Sequence, residues 1–180
     1  VYNSGKDAAF DRFITAIYQQ KMAEVCSATF PQVALPMIYE HPEFPAYLKE
    51  RIDHYEKLAE IAYEELSKSK YLHVNTIAGT FYMTPVFKEG VLNTTQTLPT
   101  EKPAMKTFIE SRLTDKSELD KRFAYYLLAS EGICVVPLTS FFAPINGFRI
   151  TLLEKDIAKF KNNMQRLSKA IDAYVESSKI

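Results

Sequence analysis

The stretch Ile133-Cys-Val-Val-Pro-Leu-Thr-Ser-Phe-Phe-Ala-Pro-Ile-Asn-Gly-Phe-Arg-Ile-Thr-Leu-Leu153 sets two short apolar runs on either side of a segment marked by Pro137, Pro144 and Gly147. Proline and glycine punctuate regular structure, so the stretch is expected to be strand, loop, strand. In the second run Phe148, Ile150 and Leu152 alternate with Arg149 and Thr151. A pleated strand sends successive side chains to opposite faces, which turns the apolar set to a core and Arg149 away from it. An arginine at a strand start beside a loop can meet a carboxylate through two parallel N–H···O bonds, a fork that lysine cannot reproduce. It can equally be a surface residue or half of a structural ion pair.

Downstream, Glu154 and Asp156 place negative charge where a helix begins, and Ile157, Phe160, Met164, Leu167, Ile171 and Tyr174 follow at spacings of three and four. That spacing predicts a terminal helix packed on the sheet. Upstream, Ser117-Glu-Leu-Asp120 has the form of a capping box, opening a helix to about Ser130 with Leu119, Phe123, Tyr126 and Leu127 inward and Gly132 at its end. Tyr71–Thr76 and Phe81–Phe87 read as two strands joined by a tight turn at Ala78-Gly79, with Pro85 restricting the second to an edge or a strand end. Lys88–Pro103 is polar and punctuated, hence a loop or a poorly ordered excursion, and Met105–Leu113 a short helix. The fold class expected is α/β, of α+β-like character: a small mixed sheet of about four strands covered by helices.

Nearer the N-terminus, Asp7–Val25 has helical apolar spacing at Phe10, Ile14, Ile17, Met22 and Val25, and a second helix is expected from Pro31 to about Tyr39. After the linker His41–Pro45, Leu48, Ile52, Tyr55, Ala59, Ala62 and Leu66 mark one long amphipathic helix, its Lys and Glu residues, Glu65 included, forming a solvated face. Lys68 and Lys70 sit in a polar helix end where a lysine stays charged, unlike the desolvated amine that Schiff-base chemistry needs.

The chain has 180 residues, 47% of them hydrophobic, enough for one domain with a core. Lys+Arg and Asp+Glu both total 22, so no net field favours nucleic acid or an acidic membrane. No apolar run approaches the roughly 20 residues that cross a bilayer, and a soluble, cytoplasmic protein is expected. Cys26 and Cys134 are far apart and lack neighbouring ligands, so both are expected as small buried fillers. His54 has no partner at metal-ligand spacing, and no metal site is expected.

Gly132-Ile-Cys-Val-Val-Pro137, a loop of about ten residues, Gly147-Phe-Arg-Ile-Thr-Leu-Leu153 and a long amphipathic helix together resemble the end of a class I, fold-type I pyridoxal-phosphate aminotransferase. Gly79-Thr-Phe-Tyr82 is similar to the family's Gly-Ala-Phe-Tyr strand, which opens the small domain's sheet, and Cys26-Ser-Ala-Thr-Phe-Pro-Gln32 to its Cys-Ser-x-Thr-x-x-Gln turn, with Phe30-Pro31 in place of Pro-Gly. Phe81 and Tyr82 are expected to be packing residues. Pro137-Leu-Thr-Ser-Phe-Phe142 stands where the family has Pro-Gly-Ser-x-Phe-Gly, so a loop using glycine's positive φ is expected to be rearranged.

The resemblance implies that Arg149 binds the substrate α-carboxylate, with Phe141 as an apolar wall beside it. Ser27 and Thr29 would approach the partner subunit's active site, or else cap the next helix. It implies that residues 1–43 belong to or border a large pyridoxal-phosphate domain, and that 44–180 are the small domain with its connecting helix. Pyridoxal 5′-phosphate, its lysine and its aspartate would belong to the parent enzyme upstream, so that this piece alone holds no catalytic residue, binds no cofactor and is inactive. An amino acid and a 2-oxo acid would be the substrates; the large domain and a second subunit of a homodimer would be the partners. The other reading is a non-catalytic aminotransferase-like module, kept as a ligand sensor or an assembly surface.

Overall fold

The computed structural model describes residues 7–24, 28–113, 115 and 117–178. Its contacts divide the chain into two compact units, 1–49 and 50–180.

The first unit holds α1 (Ala8–Met22), α2 (Thr29–Tyr39) and the start of α3 (Phe44–Leu66). Asp7 caps α1, its carboxylate accepting from the amides of Ala9 and Phe10. α2 begins before Pro31, which therefore falls in the first turn, where its missing N–H costs no helical bond. It tolerates Pro36 further on and buries none of its side chains.

In the second unit α3 buries Leu58, Ile61, Ala62, Glu65 and Leu66. Leu48 and Ile52, expected on the same stripe, are exposed. Glu65 corrects the expected solvated face: it is buried and takes hydrogen bonds from Lys68 (2.5 Å) and Gln165 (3.3 Å). The Lys68 bond above all holds its carboxyl below the usual carboxylate range. α4 (Pro103–Arg112), α5 (Leu119–Glu131) and α6 (Ile157–Glu176) complete the helices. α5 ends on Gly132 at φ 66°, the left-handed conformation that glycine adopts at low cost. Asp156 caps α6 through the amide of Lys159. Phe160, Met164, Leu167, Ile171 and Tyr174 are buried as their spacing predicts, whereas Ile157 is exposed in the first turn.

The strands are short: β1 (Leu72–His73), β2 (Tyr82–Met83), β3 (Val86–Phe87), β4 (Val136–Pro137) and β5 (Phe148–Thr151). The expected mixed α/β class is present, but the strands form two small sheets, β1-β3 and β2-β5-β4, with antiparallel pairings throughout. The expected hairpin between residues 71–76 and 81–87 forms only at its open end, where Leu72 and His73 pair antiparallel with Phe87 and Val86. Pro85 has no N–H to give a ladder, so the run splits around it: β2 pairs with the distant β5, while β3 turns back to β1 with Leu72 opposite Phe87. The carbonyl of Pro85 still serves the sheet, accepting from the amide of Phe148 at 3.0 Å.

β5 lies in the middle of its sheet, with Phe148 and Ile150 buried as the alternation requires. Behind it Phe148 meets Phe87 and Phe123, and Phe123 meets Tyr174, with ring centroids 5.2–5.8 Å apart. These rings tie β3, β5, α5 and α6 into one core.

Residues 88–102 are not a loose excursion. Leu92 and Leu98 are buried, and Gln96 is fully enclosed. Its side chain accepts from the amide of Asn93 (2.8 Å) and donates to the carbonyls of Val91 (2.8 Å) and Val175 (3.1 Å), while its own carbonyl accepts from Arg122 Nε at 2.9 Å. With its side-chain amide and backbone carbonyl both bonded, Gln96 anchors a segment that packs without helix or strand. Cys134 is exposed rather than a buried filler, because Val135 takes the inward position next to it. Cys26 lies outside the described residues.

Candidate functional site

Arg149 is the second residue of β5, paired across the ladder with Val136 of β4. Since Phe148 and Ile150 occupy the core face, its side chain emerges on the other, half-buried. Two aromatic rings hold the guanidinium there. Its Cζ lies 4.5 Å from the ring centroid of Tyr82, from β2, and 4.4 Å from that of Phe141, in a 3-10 turn spanning Leu138–Phe141. Both distances are within the range of cation–π attraction. No carboxylate among the described residues forms a salt bridge with Arg149. The planar N–H fork of a guanidinium is what a flat, bidentate anion such as a carboxylate uses.

The turn bearing Phe141 is fixed from behind by Asp120, which is completely buried in the first turn of α5. Its carboxylate accepts from the hydroxyl of Thr139 at 2.6 Å and from the amides of Thr139 at 3.1 Å and Gly147 at 3.3 Å. Three donors compensate a buried charge that would otherwise be costly to desolvate. This arrangement corrects the capping box: Asp120 reaches across to the turn, Ser117 bonds Asp115 instead, and the N-cap Glu118 pairs with Lys121 at 2.7 Å and makes no capping bond. Gly147 admits no side chain, because a Cβ there would come within 2.6 Å of the Pro85 carbonyl oxygen.

At Phe142 the expected rearrangement away from positive φ does not occur. The phenylalanine itself adopts φ 59°, ψ 23°, a left-handed conformation uncommon for a bulky residue, and it is 98% exposed. Tyr82, expected as a packing residue, is one too, but what it packs on is the Arg149 guanidinium. Asp120 and Gln96 are the residues that sequence reasoning missed, since their partners are far along the chain and no local spacing announces them.

Of the residues expected near a partner's site, Ser27 lies outside the described residues. Thr29 is exposed in the first turn of α2, and no side-chain bond caps that helix. Lys68 and Lys70 are solvent-exposed and paired with Glu65 and Glu176. A hydrogen bond with Tyr71 foremost, then one with Glu176, raises the Lys70 amine above its usual range, opposite to the lowered value that a cofactor imine needs. Among the described residues no cluster of three His, Cys, Asp or Glu side chains could hold a metal ion, and no helix is long and apolar enough to cross a membrane.

Compared with known proteins, the chain is 44% identical over 177 residues to an uncharacterized aminotransferase of Methanocaldococcus jannaschii. Its sequence is thus similar to part of an aminotransferase. The match covers 98% of this chain and 41% of the archaeal protein, so the chain spans under half the length of that relative. The chain is also similar in fold to the crystal structure of the aspartate aminotransferase from Rhizobium meliloti. The TM-score is 0.59 and the identity 23%, over 82% of this chain and 32% of that one. No family model matches. The resemblance drawn from the Arg149 strand and Gly79–Tyr82 is thus borne out at the level of aminotransferase homology.

Proposed function

We propose that this chain is the C-terminal small-domain portion of a class I, fold-type I pyridoxal-phosphate aminotransferase, in which Arg149 grips the α-carboxylate of an amino acid and of the 2-oxo acid it exchanges with. The observation that carries the reading is the guanidinium itself, held between Tyr82 and Phe141 and paired with no described carboxylate. Phe141 supplies apolar surface beside it. The lysines of this chain that the sequence pattern singles out do not fit the cofactor. Pyridoxal phosphate, which supplies the electron sink for amino-group exchange when bound, is therefore assigned to another part of the protein. The small domain orients the substrate through its carboxylate; a large domain and a second subunit complete the site. Residues 1–43 belong to or border that large domain.

In the full-length protein, Arg149→Lys is expected to raise KM for amino acid and 2-oxo acid about 10- to 100-fold, the loss of a charge-assisted bidentate contact of about 1.5–3 kcal/mol. Unchanged KM in steady-state kinetics would reject the role. Residues 1–180 alone, supplied with pyridoxal phosphate, are expected to show no turnover. Measurable turnover would overturn the division of labour. Amino-acid binding by the full-length protein without turnover would instead identify a ligand-sensing module.

A further inference from the structure

We propose that Tyr82 is a positioning residue for Arg149, acting through its ring rather than its hydroxyl. The inference rests on the carboxylate-gripping reading above and goes beyond it by explaining what aims the guanidinium. Tyr82 and Phe141 belong to different elements, one on β2 and the other on the turn after β4, and the Arg149 Cζ lies 4.5 and 4.4 Å from their ring centroids. An unsupported arginine carries large rotamer entropy, which a ligand must freeze when it binds. Two rings fastened to separate strands and a tethered turn impose part of that order beforehand. The rungs are fixed in turn: Tyr82 stands opposite Thr151 in the ladder beside Arg149, and Asp120 ties down the turn that carries Phe141. With two rings within cation–π reach of the guanidinium, the ligand is left to meet its N–H edge. Phe81 lies against Tyr82, with ring centroids 4.6 Å apart, and adds to its support.

The test is steady-state kinetics of the full-length protein with an amino acid and a 2-oxo acid. Tyr82→Leu and Phe141→Leu are each expected to raise KM about 2- to 5-fold, the scale of a solvent-exposed cation–π contact, with kcat nearly unchanged. Tyr82→Phe, which keeps the ring, is expected to restore the KM of the parent. Should Tyr82→Leu fail to fold, Phe141→Leu carries the same expectation. If Arg149→Lys raises KM while both leucine variants leave it unaltered, stacking has no part in the site and this inference falls, though the gripping role survives. Equal damage from Tyr82→Phe and Tyr82→Leu points to the hydroxyl and also overturns it. If Arg149→Lys has no effect, the functional reading itself fails.

Discussion

Phe142 shows how a single position can keep a backbone shape while abandoning the residue best suited to it. Left-handed φ costs a non-glycine residue about 1–2 kcal/mol, against which glycine loses about 0.5–1 kcal/mol of chain entropy on folding. Phe142→Gly is therefore expected to leave stability unchanged or to raise it by up to about 1 kcal/mol in urea unfolding; a clear loss would show that the ring has unseen support. Asp120 presents the opposite case. Asp120→Ala strands the amides of Thr139 and Gly147, and a drop of about 1–3 kcal/mol is expected in the same assay, with a rise in KM as Phe141 loosens. The difference in legibility follows from distance along the chain. The alternation around Arg149 is local and was readable, whereas Asp120 finds partners 19 and 27 residues away, and an aspartate in a first helical turn looks like an ordinary cap.

Elements were legible where a repeat existed and obscure where pairing decided. The long helix α3, the helix α5 with its terminal Gly132 and the stripe of α6 all emerged from spacing, as did β5. The pairing of β1 with β3 was legible as the open end of a hairpin, whereas that of β2 with β5 was not, because the missing N–H of Pro85 splits the run and frees β2, a choice that depends on the whole sheet. The α4–α5 pair offers a test by pH. Arg122 donates to both carboxylate oxygens of Glu110 at 2.6 and 2.8 Å, and Tyr126 donates at 2.7 Å. The Arg122 bond foremost holds the Glu110 carboxyl below its usual range. A lowered folded value means that the contribution is complete above the unfolded carboxylate value of about 4.3 and is lost as pH falls through the folded one. Glu110→Gln should thus lower the denaturation midpoint at neutral pH and make it less sensitive to acid. A variant whose midpoint tracks the parent's at each pH would contradict this. Tyr126 itself is pushed up to about 12, chiefly by burial and then by its bond to Glu110, so it remains a donor throughout that range.

For the molecule as a whole, the buried apolar residues run from Leu58 to Val175, all within the second unit. Deleting residues 1–43 is expected to leave the near-ultraviolet circular dichroism and the melting midpoint of the remainder within a few degrees of the parent's, the scale of less than about 1 kcal/mol. A broad, early transition would mean that the first unit shares in the core. That unit has a different character. α2 carries Phe30, Val33, Met37 and Tyr39 exposed and buries nothing, so the same deletion is expected to reduce self-association in sedimentation.

β5 is hydrogen-bonded along both edges, to β2 and to β4, and its underside is locked into a cluster of rings. The backbone beneath Arg149 consequently has no slack with which to follow a moving guest. Under the proposed carboxylate-gripping role, any approach between cation and anion has to come from the guest's own travel or from the sheet swinging with the helices behind it, which would make affinity for the anion and the mobility of that whole body a single property.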